Sequence, residues 1–319
     1  MKKPSQNLPV SVVFTDLDGA LLDRRTYRWT PARPALDTLK RRRIPLVIVT
    51  SKTAAEVWAL VRVLGRRDPF VIENGGAILF PAQYFPFTIP GTRPARRRGW
   101  LNLVLGMPRP RLVRALEEAG RLADVRLRGF SQMSATEVVE LTGLRPSEAR
   151  AALRRQYDEP FVILDRRADA WPRLSREIRR LGFEATRGTR LFHITGRSDK
   201  GAAILRLIKW FRRTARSSRV RSASAKAATG LAARLGVTVG LGDSPNDIPL
   251  LRAVDLPVIV AGAGGRYDAE TLAAVPRVRR AGGAGPVGWN RAILELLPGL
   301  KALSHASHLS HFGLKGLRS

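Results

Sequence analysis

SVVFTDLDG, residues 11–19, sets two carboxylates and a glycine directly behind a short β-branched run. Residues 11–14 suit a strand buried on both faces, as do residues 46–49 (LVIV), and helical periodicity follows each, so the chain reads as parallel α/β. An open sheet of that kind binds its ligands beyond the carboxyl ends of its strands, which is where Asp16 and Asp18 fall. If the alternation of the strand persists, both carboxylates point the same way, and Gly19 lets the chain turn sharply over whatever is bound. Taken alone, Asp-x-Asp-Gly is equally an ordinary polar turn closing a strand.

Further signals accompany it. Thr50-Ser51 ends the second strand, Thr53-x-x-Glu56 reads as a capping box, and a third strand, Phe70 to Ile72, breaks at Asn74-Gly75-Gly76 and returns as Ala77 to Phe80. Between about Tyr84 and Gly196 the character changes to a mixed α+β segment, with a helix near 110–123, a second capping box at Ser134-x-x-Glu137, and strands at 161–164 and 190–195. The first pattern resumes where Asp199-Lys200-Gly201 opens a helix, followed by a buried strand, Val237 to Leu241, and the loop Gly242-Asp243-Ser244-Pro245-Asn246-Asp247. Carboxylates and amide oxygens in a short loop suit a hard cation such as Mg²⁺, whereas a lysine or threonine at an element end offers a donor to phosphate. Each of these is also an unremarkable cap or turn.

In this order (Asp-x-Asp-Gly, Thr/Ser, Lys, Gly-Asp-x-x-Asn-Asp) the motifs resemble the haloacid dehalogenase-like phosphatase superfamily. The resemblance implies a three-layer parallel-sheet core with an inserted α+β cap of the C2B type. It makes Asp16 the nucleophile, Asp18 the general acid and base, Thr50, Ser51 and Lys200 the phosphate ligands, and Mg²⁺ the cofactor, held by Asp16, Asp18 and Asp243 with Asn246 and Asp247 in support. Charge explains those residue types: a carboxylate attacking a phosphomonoester dianion is repelled unless a cation and a lysine offset it, and the leaving oxygen needs a proton. One departure is Ala20, where the superfamily usually carries Thr; reduced or intact activity is expected from it.

Longer segments narrow the resemblance: PFVIENGGAI (69–78), VTSKT (49–53), RGFSQM (128–133), ELTGL (140–144), YDEPF (157–161), RLFHITG (190–196) and GPVGWN (285–290) are similar to the mannosyl-3-phosphoglycerate phosphatase family. That family makes mannosylglycerate, a compatible solute. By this resemblance Lys52, Glu73, Asn74, Gly75 and Gly76 line the core side of the pocket, and Arg187 and Arg190 of the cap meet the glycerate carboxylate or the sugar. Another sugar phosphate, such as glucosyl-3-phosphoglycerate or sucrose phosphate, stays open as substrate. The expected division is a core of 8–86 and 192–298, a cap of 87–191, a flexible basic loop at 212–228 and a disordered tail at 299–319.

Composition bounds the rest. The 319 residues, 44% of them hydrophobic, suffice for a large core domain plus a smaller one. There is no cysteine, which excludes disulfides, thiolate catalysis and cysteine-held zinc, so any metal sits on oxygen ligands. No apolar run reaches the ~18 residues of a membrane span and no signal peptide opens the chain, so a cytoplasmic place and no membrane partner are expected. Fifty-six Lys and Arg against 26 Asp and Glu give a net charge of +30, a field that attracts polyanions. The arginines are scattered along every segment rather than interleaved with aromatics on one strip, and they read as solvated faces. A nucleic-acid binder on a degenerate scaffold is the alternative from another class; a small-molecule substrate is the expected partner, and oligomeric state is open.

Overall fold

A computed structural model of the chain describes residues 10–188, 191–197, 199–222 and 236–297. Its larger sheet begins with β1 (Val10–Thr15), β2 (Leu46–Val49) and β3 (Phe70–Ile72), joined through α1 (Arg33–Arg41) and α2 (Ala54–Val63). β4 (Ala77–Pro81), β5 (Arg93–Pro94) and β6 (Trp100–Val104) follow. Then come α3 (Arg109–Ala123), β7 (Leu127–Gly129), α4 (Ala135–Thr142), α5 (Pro146–Ala152), β8 (Asp158–Ile163), α6 (Ala170–Arg180), β9 (Glu184–Arg187) and β10 (Phe192–Thr195). The chain returns through α7 (Lys200–Ser222), β11 (Val237–Gly242), α8 (Ile248–Ala253), β12 (Leu256–Ala261), α9 (Ala269–Ala274), β13 (Arg279–Ala284) and α10 (Gly285–Leu296).

The large sheet runs β13-β12-β11-β1-β2-β3-β4-β6-β5. It is parallel from β13 to β3 and antiparallel beyond. The alternation of each central strand explains its two faces. Val13, Leu46, Ile48, Phe70 and Ile72 pack with residues of α1, α2 and α10 on one side. Val12, Phe14, Val47, Val49 and Val71 pack against Ile204, Leu207 and Phe211 of α7 and Leu250 and Leu251 of α8 on the other. From β1 the chain winds outward through β2 and β3, and only later fills the opposite flank with β11 to β13. The order therefore reverses between β1 and β11, and the carboxyl ends of those two strands flank the crevice that such a switch point leaves. Asp16 and Asp243 stand there.

The second sheet, β7-β8-β10-β9, is antiparallel. Phe161 and Ile194 on it bury against Leu112 and Leu116 of α3 and Leu174 and Ile178 of α6. Its extent differs from the 87–191 segment expected as the cap. β5 and β6 complete the large sheet instead, because Trp100 stacks edge-on to Trp58 and tilts against Phe70, and Leu103 enters the core beneath β4. β10, expected in the core, hydrogen-bonds between β8 and β9.

The basic stretch expected as a loop at 212–228 also differs: α7 continues to Ser222. Once Ile204, Leu207, Ile208 and Phe211 anchor the helix, each further arginine or alanine extends an existing ladder at little cost. Thr214 and Ser217 add bonds back to the carbonyls of Trp210 and Arg213, and the Arg213 guanidinium lies 4.1 Å from the centre of the Phe87 ring. Residues 223–228 of that stretch and the tail 299–319 lie outside the described residues. Among the described residues no helix is long and apolar enough to cross a membrane.

Candidate active site

Local chemistry aims each acidic group. β1 closes on Thr15, whose hydroxyl accepts the Trp289 indole N–H at 2.9 Å, so the last turn of the strand is fixed from α10. The Asp16 N–H continues the sheet to the Leu241 carbonyl at 2.9 Å, which holds the ends of β1 and β11 side by side. Gly19 then turns with φ +90°, a left-handed conformation that side chains disfavour, and a Cβ there would overlap the Asp243 carboxylate. Gly19→Ala is therefore expected to cost about 2 kcal/mol or more in urea unfolding and to displace Asp243. Unchanged stability would show that the turn is not under this constraint.

The Gly242–Asp247 loop is tied by one carboxylate. Asp247 Oδ2 accepts the N–H groups of Asp243 (3.0 Å) and Ser244 (3.3 Å), while its Oδ1 takes the Lys200 ammonium at 2.6 Å. Lys200 also donates to Asp16 Oδ1 at 2.8 Å, and is 2% exposed at the start of α7. Asp199 caps that helix by accepting the Ala202 N–H. Asp16, Asp243 and Asp247 each offer an oxygen within 4.8 Å of the others, all buried. Burial and the Asp247 charge push the Asp16 carboxyl up to about 7 even though Lys200 pulls it down, and burial with both neighbours raises Asp243 well above its ordinary value despite the Arg24 guanidinium paired with it. The same carboxylates outweigh desolvation at Lys200 and hold it protonated above its usual range. Three clustered carboxylates against two cations form a site that could hold a cation on oxygen ligands.

No protein-family model matches the chain. A glucosyl-3-phosphoglycerate/mannosyl-3-phosphoglycerate phosphatase of Methanococcoides burtonii is 36% identical over 286 residues, 90% of this chain and 97% of that protein. The protein of the same name from Persephonella marina is 35% identical over 288 residues, again 90% and 97%. The chain belongs to the glucosyl-3-phosphoglycerate/mannosyl-3-phosphoglycerate phosphatase family. Solved structures carry the same fold. A phosphatase of the haloalkanoate (HAD) enzyme superfamily from Bacteroides thetaiotaomicron superposes with TM-score 0.53 at 18% identity, over 95% of this chain and 97% of its own. A HAD subclass IIB sugar phosphatase gives 0.54 at 16%, over 93% and 99%.

The phosphatase gathers Asp16, Asp18, Ser51, Lys52, Lys200 and Asn246 around one pocket. The Asp18 carboxylate stands outside the acidic cluster, contrary to its expected place as a side-chain metal ligand: its Oδ2 pairs with Lys52 at 2.9 Å, and its Oδ1 is buried without a hydrogen bond. Lys52 also reaches Glu56 at 3.6 Å and the Tyr27 ring at 5.0 Å, and these carboxylates, against the penalty of burial, keep it protonated. Thr50 does not line the pocket; it is buried, its hydroxyl accepting the Lys52 N–H at 3.1 Å. Ala20 is fully buried in the core beside Leu17 and Leu21.

The Glu73–Gly76 turn departs furthest from expectation. None of its residues lines the pocket, because the turn forms a seam between the two sheets. Glu73 accepts the Gln156 and Tyr157 N–H groups at 2.8 and 2.6 Å, and burial pushes its carboxyl up to about 7 against the pull of Arg155. The close backbone approaches that call for glycine are to Asp199 at Gly75 and to Tyr157 at Gly76. Asn74, held at φ 55°, bridges Asn246 and Asp158 with bonds of 2.9 and 3.0 Å. Arg187 is exposed at the end of β9 and is not a lining residue; Arg190 lies outside the described residues. Arg24, Tyr27 and Arg155 line the phosphatase pocket without having been signalled by the sequence, since none belongs to a motif whose spacing predicts a ligand; Phe130 and His193, which also line it, fall in segments that carry the resemblance but had no role assigned.

Proposed function

We propose that the phosphatase hydrolyses mannosyl-3-phosphoglycerate to mannosylglycerate and inorganic phosphate, through an aspartyl-phosphate on Asp16 and with Mg²⁺. Glucosyl-3-phosphoglycerate is a second reading, favoured by the names of both relatives. The observation that carries the proposal is the opposition of Lys200 to the carboxylates of Asp16 and Asp247, beside a pocket that also takes in Asp18.

An Asp16 oxygen attacks phosphorus as the bond from phosphorus to the glyceryl oxygen breaks, and Asp18 gives that oxygen its proton. Asp18, now ionised, takes a proton from water as the water opens the acyl phosphate, releasing inorganic phosphate and restoring Asp16. Lys200 keeps Asp16 oriented and offsets charge on the phosphoryl oxygens. The residues fit a hard divalent ion: three buried carboxylate oxygens lie together, they exceed the two cations paired with them, and the chain has no thiol. Bound by Asp16 and Asp243, Mg²⁺ would supply the remaining charge neutralisation between carboxylate and phosphate.

Phosphate release from a panel of sugar phosphoglycerates, with Mg²⁺ and with chelator, tests the reading; no release from any of them sinks it. Because Asp16 sits at about 7 in the metal-free chain through burial and Asp247, a cation must displace a proton below that pH. The apparent Kd for Mg²⁺ is expected to rise about fivefold as pH falls from 7 to 6 and about tenfold more from 6 to 5, and to level off above 8. A Kd independent of pH over this range, measured by titration calorimetry, would place the cation elsewhere.

A further inference from the structure

The part of the pocket away from the acidic cluster is organised around a charge that the chemistry above does not use. Asp158, the first residue of β8, is fully buried and accepts from three directions: His193 Nδ1 at 3.0 Å, Asn74 Nδ2 at 3.0 Å and Arg155 Nη1 at 3.1 Å. Arg155 Nη1 also donates to the Ser51 carbonyl at 2.8 Å, which fastens the guanidinium to the loop that ends β2. The Arg155 side chain is only 6% exposed, packed 5.7 Å from the centre of the Phe130 ring, and its Nε–H is buried with no hydrogen-bond partner.

Both bonds of this guanidinium use Nη1. The opposite edge, formed by Nε and Nη2, carries two parallel N–H groups, the fork that matches a carboxylate. A buried donor left unpaired is unfavourable until an acceptor reaches it. The other lining cations are committed: Lys200 to Asp16 and Asp247, Arg24 to Asp243, and Lys52 to Asp18 and Glu56. We propose that Arg155 binds the carboxylate of the phosphoglyceryl group through its Nε and Nη2 edge, with Asp158 and the Ser51 carbonyl as the positioning groups. The assignment rests on the functional reading given above. In a 3-phosphoglyceryl unit the carboxylate is two carbons from the esterified oxygen, and Arg155 and Ser51 line the same pocket as Asp16. Recognition then falls on the acid that the mannosyl and glucosyl substrates share rather than on the sugar.

The probes are 3-phosphoglycerate and glycerol 3-phosphate, which present the same primary phosphate ester with and without the carboxylate, assayed beside mannosyl-3-phosphoglycerate. The wild type is expected to favour 3-phosphoglycerate in kcat/KM by about 10- to 100-fold, a measurement that needs no variant. Arg155→Lys, which keeps a charge opposite Asp158 but removes the fork, is expected to raise KM for both carboxylated substrates by a similar factor at nearly unchanged kcat. The ratio of its kcat/KM for 3-phosphoglycerate to that for glycerol 3-phosphate is expected to fall by the same factor. Equal losses on all three substrates, or a wild type indifferent to the carboxylate, overturn the assignment while leaving the phosphatase reading intact. Absence of turnover by the wild type on all of them overturns both.

Discussion

Asp16→Asn is expected to lower kcat by about 10⁴-fold or more and yet to raise thermal stability in chelator at pH 8. The amide is nearly isosteric but has no anionic oxygen to attack phosphorus, so the covalent route closes. The stability gain follows from sign. In the folded chain Asp16 is pushed from its ordinary 3.8 up to about 7, first by burial and then by Asp247. Between those values the native state holds a proton that the unfolded chain has released, so wild-type stability falls as pH rises from about 4 to 7 and stays lowered above it. The variant lacks this term, and Lys200 keeps its bond to Asp247. Scanning calorimetry in chelator should therefore show a Tm advantage of a few degrees at pH 8 that shrinks at pH 5. Turnover above about one per cent of wild type would exclude Asp16 as nucleophile, and an advantage equal at both pH values would exclude the electrostatic account.

Lys200→Met should act in the opposite sense on stability. It removes the buried ammonium between Asp16 and Asp247 and leaves three clustered carboxylates facing only Arg24. Breaking such a pair from one side costs about 3–5 kcal/mol. Saturating Mg²⁺ should recover part of this, because a cation that binds the folded state stabilises it and replaces the missing charge. kcat is expected to stay at least about 10²-fold down even then, since the donor to the phosphoryl oxygens is gone. Urea unfolding with and without Mg²⁺ measures the first effect and phosphate release the second. A loss under about 1 kcal/mol in chelator would mean that the carboxylates do not depend on Lys200.

Asp16, Asp243 and Lys200 were legible as candidates because each ends a strand or opens a helix, where local pattern and ligand position coincide, whereas the Asp18 carboxylate, expected beside them, turns to Lys52. Asp16 follows β1, the Asp243 loop follows β11, and Lys200 begins α7. The capping boxes at Thr53–Glu56 and Ser134–Glu137 were legible for the same reason, being bonds between residues three apart. The Glu73–Gly76 turn was visible as a turn but misjudged in purpose: the sequence shows that a backbone comes close there, not to what. The helix over 212–222 was missed because composition undervalues a stretch whose order is inherited from the packed turns before it.

Alternation of apolar residues, turn chemistry and the order of the polar motifs were enough, by themselves, to specify a parallel α/β sheet with acidic groups at the ends of its strands. These are properties of neighbours in the chain, and backbone periodicity turns them into direction. Which charges meet is another matter. Arg24 pairs with Asp243 across 219 positions, Asn74 bridges Asn246 and Asp158 across 172 and 84, and Arg155 reaches back 104 to Ser51. No spacing encodes such contacts, because they exist only once distant strands have assembled into one sheet and, for Asp158 and Arg155, once the second sheet has packed against it, where the lowered dielectric strengthens each buried pairing.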